Sequence, residues 1–244
     1  MPEFINQLKS FSGVYTRRDE PQEGCIIIRQ EKKTMKTEKR DFDKAAASWD
    51  EKPLRVKLAE DVANTIVRQV AISQDMTALD FGCGTGLLTL QLQPLVKSIT
   101  GVDSSQGMLD IFNSKITTAN IDNVCTLFLD SDKGGTLTGK YDLIVSSMTL
   151  HHIREIASLL AQFYTVLAPG GTLCLADLDL DDGQFHDDST GVFHNGFDRA
   201  SLHRSFTDAG FVGIQDVTAA KIEKQARDGQ TRKFSVFLMT GRKN

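Results

Sequence analysis

The chain has 244 residues, of which 40% are hydrophobic and 25% charged, and its formal net charge at pH 7 is −4. This length and composition predict one sizeable globular core with room for a short extra element, not two full domains. The acidic balance offers no general basic field for phosphates and disfavours a nucleic-acid partner. No run of apolar residues is long enough to cross a bilayer, and the start lacks the pattern of a signal peptide. We therefore expect a cytoplasmic protein without a membrane partner.

The cysteines give no indication of a metal or redox site. Cys25, Cys83, Cys125 and Cys174 are widely spaced, and no C-x-x-C pair occurs. Because three of them fall in or beside predicted strands, we expect buried, reduced thiols and no metal site.

The first 40 residues are predicted to be an N-terminal extension. Residues 14–18 and 25–30 could form two short strands around the turn-rich segment 19–24, and the charged segment 31–40 is typical of a solvated linker. A helical pattern begins at Asp41, and Pro53 suits the first turn of a second helix. In that helix apolar residues recur every fourth position, which predicts a stripe packed on the core: Leu54, Leu58, Val62, Ile66 and Val70.

A glycine-rich loop follows the first predicted strand. The apolar run 77–81 contains Asp80 near its end and leads into Gly82, Gly84 and Gly86, after which an apolar helical pattern begins. Glycines permit positive φ angles and let a ligand approach the backbone closely, while the following helix directs its free amide groups toward the loop. The pattern predicts a nucleotide-binding loop.

Strands and helices then alternate at short intervals. The predicted strands are 98–102, 124–129, 141–146 and 172–176, with helices over 106–119 and from Ile153 to a stop at Pro169-Gly170-Gly171. This alternation indicates a parallel sheet with helices on both faces, and ligands of such sheets bind at the carboxyl ends of the strands. A helix from Asp198 to about Ala209 and two strands, 211–222 and 231–240, complete the chain, the strands forming an antiparallel hairpin.

Residues 79–86 resemble the first motif of class I S-adenosylmethionine-dependent methyltransferases. The spacing is G-x-G-x-G directly after Asp80, whereas the dinucleotide fingerprint is G-x-G-x-x-G. A carboxylate at this place would repel a pyrophosphate but attract the ammonium group of S-adenosylmethionine. The resemblance covers about residues 41–242. It implies a methyltransferase domain over 41–244 with an α/β, Rossmann-like, doubly wound, seven-stranded, mostly parallel sheet and an antiparallel C-terminal hairpin.

The resemblance also implies which residues bind S-adenosylmethionine. Asp103, at the end of the second strand, would accept both ribose hydroxyls, Asp80 would bind the ammonium group, and Asp130 would take the exocyclic amine of adenine. Met108 is as compatible with the core as with an adenine face. The full predicted set is Asp80, Gly82, Cys83, Gly84, Thr85, Gly86, Asp103, Ser104, Met108, Asp130, Ser131 and Ser147.

Two regions supply candidates for a general base. His151 and His152 follow the fourth strand, in a segment that resembles the fourth motif of the family. The segment 181–197 is acidic and rich in glycine and phenylalanine, and we expect it to form the acceptor side of the pocket with His186 or His194 facing the transferred methyl group. Hydrogen-bonded helix-start histidines and exposed loop histidines are the alternatives. The helices before the first strand close over the methyl donor in many such enzymes, which would place Trp49 and Lys52 in a lid; a core role for Trp49 is the alternative.

The sequence therefore predicts a methyltransferase that acts on a small-molecule acceptor. One alternative is a non-catalytic S-adenosylmethionine-binding regulatory or assembly protein, and another is an NAD(P)-dependent reductase, which the lack of a Tyr-x-x-x-Lys pair disfavours. A metal-dependent O-methyltransferase would use the acids of segment 177–182, for which a solvated acidic loop is the competing interpretation.

Overall fold

The computed structural model describes residues 40–244. Within that range the strands are β1 (Thr77–Phe81), β2 (Ser98–Asp103), β3 (Val124–Phe128), β4 (Tyr141–Ser147), β5 (Leu167–Leu178), β6 (Val212–Gln225) and β7 (Thr231–Arg242). The α-helices are α1 (Phe42–Ala45), α2 (Pro53–Gln69), α3 (Leu87–Leu92), α4 (Gln106–Thr118), α5 (Ile156–Val166) and α6 (Arg199–Asp208). A 3₁₀ segment, Ala46–Glu51, joins α1 to α2.

One seven-stranded sheet organises this part of the chain, in the order β3-β2-β1-β4-β5-β7-β6. β1 to β5 pair in parallel, whereas β7 pairs antiparallel with both β5 and β6. The predicted α/β, doubly wound, mostly parallel sheet with an antiparallel C-terminal hairpin is confirmed. The strand order reverses between β1 and β4, so the carboxyl ends of these two strands flank the crevice where ligands of such sheets bind.

Strand alternation divides the core between the two faces of the sheet. Leu143 and Val145 of β4 pack on the face covered by α2, α3 and α4, whereas Ile144 between them packs on the face of α5 and α6. Val62 and Ile66 of the predicted α2 stripe are fully buried, while Leu54 at the helix start is 39% exposed. The stripe is therefore confirmed in its middle, where α2 lies on the sheet.

The helix before β5 is shorter than predicted, and β5 is longer. α5 ends at Val166, and β5 already begins at Leu167, so it contains the Pro169-Gly170-Gly171 sequence that was expected to separate helix from strand. The physical reason is that the chain beyond β7 supplies partners for this segment: Gly170 N donates to the Lys243 carbonyl at 2.8 Å, and Lys243 N donates to the Gly171 carbonyl at 3.0 Å.

Several expectations lie outside the described residues or stay predictions. The hairpin and linker of residues 1–39, Cys25 and the domain boundary near residue 40 fall outside the described range. Cys83 and Cys174 are buried free thiols as expected, and Cys125 is half-buried. Across residues 40–244 no helix has the length and apolar character that a bilayer crossing requires. The expected cytoplasmic location stays a prediction.

The start of α3 generates a prediction about stability. Gly86 has φ +82°, and a Cβ at this position would overlap the fully buried ring of Phe112. We expect Gly86→Ala to lower the free energy of unfolding by about 2–5 kcal/mol, because the left-handed backbone and the overpacked ring both oppose a side chain. Denaturant unfolding measures this change. Gly229→Ala is the matched control, since its φ is +81° with nothing within 4 Å of the added Cβ, so it carries the backbone contribution alone. Equal losses in the two variants would contradict the overlap with Phe112.

Candidate active site

The glycine loop after β1 is held against the end of β2 by its backbone. Gly82 N and Cys83 N donate to the Val102 carbonyl at 2.7 and 3.1 Å. Gly82 has φ +75°, and a side chain there would overlap Thr149, whereas a Cβ at Gly84 would meet nothing within 4 Å. The loop is thus packed tightly on one side and leaves its backbone open at Gly84, where a ligand can approach.

The carboxylate of Asp103 joins this loop to the start of α4. One carboxylate oxygen accepts a hydrogen bond from Gly84 N and the other from Ser105 N, both at 2.8 Å. Each carboxylate oxygen has two acceptor positions, so bonds to the backbone leave capacity for a ligand hydroxyl. Asp103 is half-buried and lines the cavity described below.

Asp80 is an almost fully buried acid at the same strand edge. Its side chain accepts a 2.6 Å hydrogen bond from Thr89 Oγ1, and the residue is 1% exposed. The pKa of Asp80 is raised to about 7, chiefly by burial and also by the negative charge of Asp103, while the hydrogen bond from Thr89 opposes the shift. A cation bound beside this carboxyl would favour its ionised form.

The segment before α2 is attached to the loop and to α4 by hydrogen bonds. Thr85 Oγ1 donates to Asp50 at 2.6 Å, and Asp50 also forms an ion pair with Lys115. Ser105 Oγ and Gly107 N donate to Asp43 at 2.5 and 2.9 Å. These bonds place α1 and the 3₁₀ segment beside the strand ends. They also place Trp49, Lys52 and Arg55 in the wall of the cavity, which favours the lid interpretation of Trp49.

A cavity of about 720 Å³ lies at the carboxyl edge of the sheet. It is bounded by the glycine loop and Asp103 on one side, the segment around Trp49 on a second, and by His151, His152 and the loop after β5 on a third. This volume is within the range of pockets that hold small molecules and cofactors. Most of the residues predicted to bind the donor, and His151, His152 and His186 of the candidate bases, therefore meet at one cavity.

His151 forms a buried pair with Asp177, the penultimate residue of β5. His151 Nδ1 lies 2.7 Å from one Asp177 carboxylate oxygen, and His151 N donates to the other at 3.2 Å. Burial alone would raise the pKa of Asp177, but the charge of His151 and the hydrogen bonds from His151 and Leu178 outweigh it and lower that pKa. With Nδ1–H donating to a carboxylate, the Nε2 of a neutral His151 is an acceptor of protons.

His152 and His186 adjoin His151 but are poor bases. The His151 ring centroid lies 4.2 Å from that of His152 and 4.7 Å from that of His186. Burial lowers the pKa of His152 to about 3 and that of His186 to about 4, and His151 contributes to both shifts. Both rings are therefore neutral near pH 7 and accept protons weakly. This leaves His151 as the member of the cluster with a carboxylate to stabilise its cation.

His194 lies apart from the cavity wall. Its Nε2 donates to the Ile153 carbonyl at 2.9 Å, and its ring contacts Phe197 with centroids 5.2 Å apart. From segment 181–197, the residues that line the cavity are Phe185, His186, Asp187, Asp188 and Gly191, whereas His194 does not line it. The acceptor role expected for this segment stays a prediction. Exposed loop histidines are the alternative interpretation of His186 and His194, but both rings are half-buried. The backbone-bonded alternative, which concerns His151 and His152, describes His152, whose Nδ1 lies 2.6 Å from the Gly191 carbonyl oxygen.

The structure brings most of the predicted cofactor residues to the cavity. Those that line it are Asp80, Gly82, Cys83, Gly84, Thr85, Asp103, Ser104, Met108, Ser131 and Ser147. Gly86 and Asp130 do not; Gly86 begins α3 behind the loop, and Asp130 is buried with its carboxylate 3.0 Å from Lys133 Nζ. The assignment of ligand groups to these residues stays a prediction.

Sequence reasoning did not select Asp177 as a partner of His151. Asp177 interrupts the otherwise apolar run of β5, as Asp80 does in β1, and the same argument would have identified it. Instead it was grouped with Asp179, Asp181 and Asp182 as a candidate metal cluster. The structure directs these acids to separate partners: Asp179 pairs with Arg199 at 2.7 Å, Asp181 accepts from Gln184 N at 3.0 Å, and Asp182 lies 3.2 Å from Arg232. No group of three metal-ligating side chains occurs among the residues described.

Comparisons with known proteins agree with this arrangement. A family model described as a methyltransferase domain matches residues 54–216. An uncharacterised methyltransferase of Schizosaccharomyces pombe is 32% identical over 182 residues, which are 68% of this chain and 64% of that protein. A malonyl-[acyl-carrier protein] O-methyltransferase of Priestia megaterium is 27% identical over 140 residues, 55% of this chain and 48% of that protein. The chain thus spans less than two thirds of the length of these curated relatives.

Solved structures share the fold. The YcgJ protein of Bacillus subtilis matches 75% of this chain and 98% of its own with a TM-score of 0.63 and 15% identity. Phosphoethanolamine N-methyltransferase 2 of Haemonchus contortus, solved with S-adenosyl-L-methionine, matches 74% of this chain and 52% of its own with a TM-score of 0.61 and 16% identity. At these identities the likeness concerns the fold alone.

The raised pKa of Asp80 predicts a pH-dependent stability. The pKa of Asp80 is about 4 in the unfolded chain and about 7 in the folded one. The free energy that protonated Asp80 contributes to folding is therefore fully present below pH 4 and is lost as the pH rises through 7. Relative to Asp80→Asn, whose amide does not titrate, the wild type should lose up to about 4 kcal/mol of unfolding free energy between pH 4 and pH 8. Denaturant unfolding across this range measures the difference. Asp110→Asn, an exposed acid on α4, is the control. If the unfolding free energies of wild type and Asp80→Asn changed in parallel with pH, the raised pKa of Asp80 would be contradicted.

Proposed function

The chain belongs to the class I S-adenosylmethionine-dependent methyltransferases, and from this premise we propose that it transfers a methyl group from S-adenosylmethionine to a small-molecule acceptor. The single observation that carries the proposal is the shared cavity, which is lined by the glycine loop and Asp103 and also by His151, the residue that pairs with the buried Asp177. When bound, S-adenosylmethionine supplies the methyl group, and its sulfur leaves as a neutral thioether.

The residues at the strand ends fit such a donor. Asp103 has acceptor capacity for ribose hydroxyls, the backbone at Gly84 is open, and Asp80 is a buried acid whose ionisation a neighbouring ammonium would favour. Ser131 and Met108 line the adjoining wall and are assigned to the adenine side. Asp130, which pairs with Lys133, is assigned an indirect role: it supports Ser131 and does not contact the adenine itself.

The cavity walls would accelerate transfer mainly by position and by excluding water. Holding donor and acceptor in one enclosed site can lower a barrier by about 7–11 kcal/mol in the best intramolecular cases. His151 is assigned the removal of the acceptor's proton through Nε2, and Asp177 orients the ring and stabilises the imidazolium that forms. Such a base contributes about 10²–10⁴-fold when the acceptor is a hydroxyl or another protonated group.

A small molecule is the acceptor class that the cavity volume favours. Curated relatives point the same way, since one is named as an O-methyltransferase of a malonyl group on a carrier protein. Another relative is a non-reducing polyketide synthase of Penicillium brasilianum, which is 28% identical over 64% of this chain and of which the chain spans 7%.

Binding of the donor is the first test. Asp103→Ala should weaken the binding of S-adenosylmethionine by about 2–4 kcal/mol, because two hydroxyls lose a charged acceptor. Isothermal titration calorimetry measures this, with Asp208→Ala, an exposed acid at the end of α6, as the control. Since Asp103 also holds the amides of Gly84 and Ser105, thermal unfolding of the unliganded variant must accompany the titration. Equal affinity in wild type and Asp103→Ala would refute the assignment.

The histidine pair is tested by kinetics once an acceptor is found. His151→Gln should lower kcat by at least tenfold and leave donor affinity within about twofold, because a base acts on the acceptor and not on donor binding. Asp177→Asn should lower kcat as well and shift the pH profile of kcat, because the imidazolium loses its counter-charge. His203→Gln, exposed on α6, is the control. A kcat of His151→Gln equal to that of the wild type would exclude the base, and tight donor binding without transfer to any acceptor would favour the non-catalytic alternative.

A further inference from the structure

A continuous row of rings lines one wall of the cavity. We call it the aromatic belt; in spatial order its members are Trp49, Phe42, His152, His151, His186 and Phe185. Successive ring centroids along it are 5.8, 5.1, 4.2, 4.7 and 4.9 Å apart. Separations in this range are typical of interacting rings. The belt therefore offers a flat apolar body an extended surface that reaches the proposed base, His151.

Cations stand at both ends of the aromatic belt. The Arg55 guanidinium lies 3.6 Å from the centroid of Trp49, and Arg40 lies 5.5 Å from that of Phe42. At the other end, Lys224 Nζ lies 4.9 Å from the centroid of Phe185. All three cations line the cavity. The aromatic belt thus combines rings with positive charge at both of its ends.

The two arginines at the Trp49 end form no ion pair within the described part of the chain. Among residues 40–244 neither Arg40 nor Arg55 forms an ion pair, and the acid next to Arg55, Asp50, is already bound to Lys115 and Thr85. Burial lowers the pKa of Arg55, and the like charge of Arg40 lowers it further. An anion between the two guanidinium groups would relieve this repulsion and restore their hydrogen bonds. Lys224 differs, because it donates to the Phe185 carbonyl at 2.7 Å and lies 3.5 Å from the exposed Asp187.

The positive charge is local. The chain as a whole carries a net charge of −4, and the acids of the cavity that are buried or half-buried, Asp80 and Asp103, lie at the proposed donor end. The acids that line the cavity beside the belt, Asp187 and Asp188, are exposed. The cavity therefore offers buried or half-buried carboxyls at the glycine loop and cations along the belt, which suits a ligand group of opposite charge at each place.

Resting on the proposed function, we infer that the methyl acceptor is a planar, apolar molecule that carries an anionic group such as a carboxylate. Its ring lies on the aromatic belt, and its anion binds between Arg55 and Arg40. The belt supplies apolar area and ring contacts, and the two guanidinium groups supply bidentate hydrogen bonds. Charge and shape together then select the acceptor, which neither could do alone.

Matched probes test the inference without knowledge of the natural acceptor. Protein saturated with S-adenosylhomocysteine is titrated calorimetrically with 2-naphthoate, with the neutral 2-naphthamide, and with acetate, which has the charge without the ring. We expect 2-naphthoate to bind about tenfold more tightly than 2-naphthamide, the change that follows from losing one hydrogen bond between charged groups, and acetate to bind more weakly than both. Equal affinity for 2-naphthoate and 2-naphthamide would overturn the inference.

Substitutions of the two arginines test where the carboxylate of 2-naphthoate binds. Arg55→Gln should weaken 2-naphthoate about tenfold and leave 2-naphthamide within about twofold, because only the charged probe uses the guanidinium. Arg68→Gln, exposed on the same helix, is the matched control and should change neither. If Arg55→Gln disturbs folding through the lost bond to the Trp49 carbonyl, then Arg40→Gln decides by the same criterion. Equal weakening of both probes in the folded variant would refute the placement of the anion.

The two proposals fail in different ways. Protein that binds S-adenosylhomocysteine but does not distinguish the naphthyl probes refutes the anionic acceptor and leaves methyl transfer standing. Protein that binds no S-adenosylhomocysteine refutes the proposed function; the comparison of the naphthyl probes on the unliganded protein then still decides whether the belt and its arginines bind an aromatic anion.

Discussion

The shape of the cavity depends on the two hydrogen bonds that Asp103 accepts from the amides of Gly84 and Ser105. They connect the loop after β1 to the start of α4, two segments that the sheet order places side by side. The segment before α2 is attached to the same junction, through Asp43 at the start of α4 and Asp50 at Thr85. Trp49 and Arg55 therefore reach the cavity only because that junction is fixed, so the acceptor wall depends on the geometry of the donor wall. Charge-assisted bonds to backbone amides suit this task, since they are directional and strong.

The electrostatic design of the cavity follows from burial. A carboxyl removed from water, as in Asp80, resists ionisation until a cation arrives, whereas the buried Asp177 stays ionised because His151 and backbone amides bind it. Two aspartates near the carboxyl ends of β1 and β5 thus have opposite proton preferences. The difference lies in their hydrogen-bond partners, because a single Thr89 hydroxyl serves Asp80 while three donors serve Asp177.

The parts of this molecule that local sequence determines could be predicted. Strand periodicity, the glycine loop and the acids that end β1 and β2 are local signals, and they gave the sheet and most residues at the donor side of the cavity. The extent of β5 could not be predicted, because its first residues find partners beyond β7, more than 70 residues away. His194 could not be separated from His186 either, since the direction of a loop side chain depends on tertiary contacts. The aromatic belt joins residues from 42 to 186, and no local pattern indicates it.

The neutrality of His152 and His186 is a consequence of where the belt lies. Both rings are removed from water and adjoin His151, and His186 also lies near the positive charges of Arg40 and Lys224, so a proton on either ring would be unfavourable. Their low basicity keeps the wall apolar at neutral pH, which suits contact with a flat acceptor. His151 is more deeply buried, with 1% of its surface exposed, but the Asp177 carboxylate lies 2.7 Å from its Nδ1 and would stabilise a positive charge on the ring. Among the three adjoining histidines, the Asp177 carboxylate of β5 therefore makes His151 the ring that can take a proton. His152 and His186 stay neutral and form part of the apolar cavity wall.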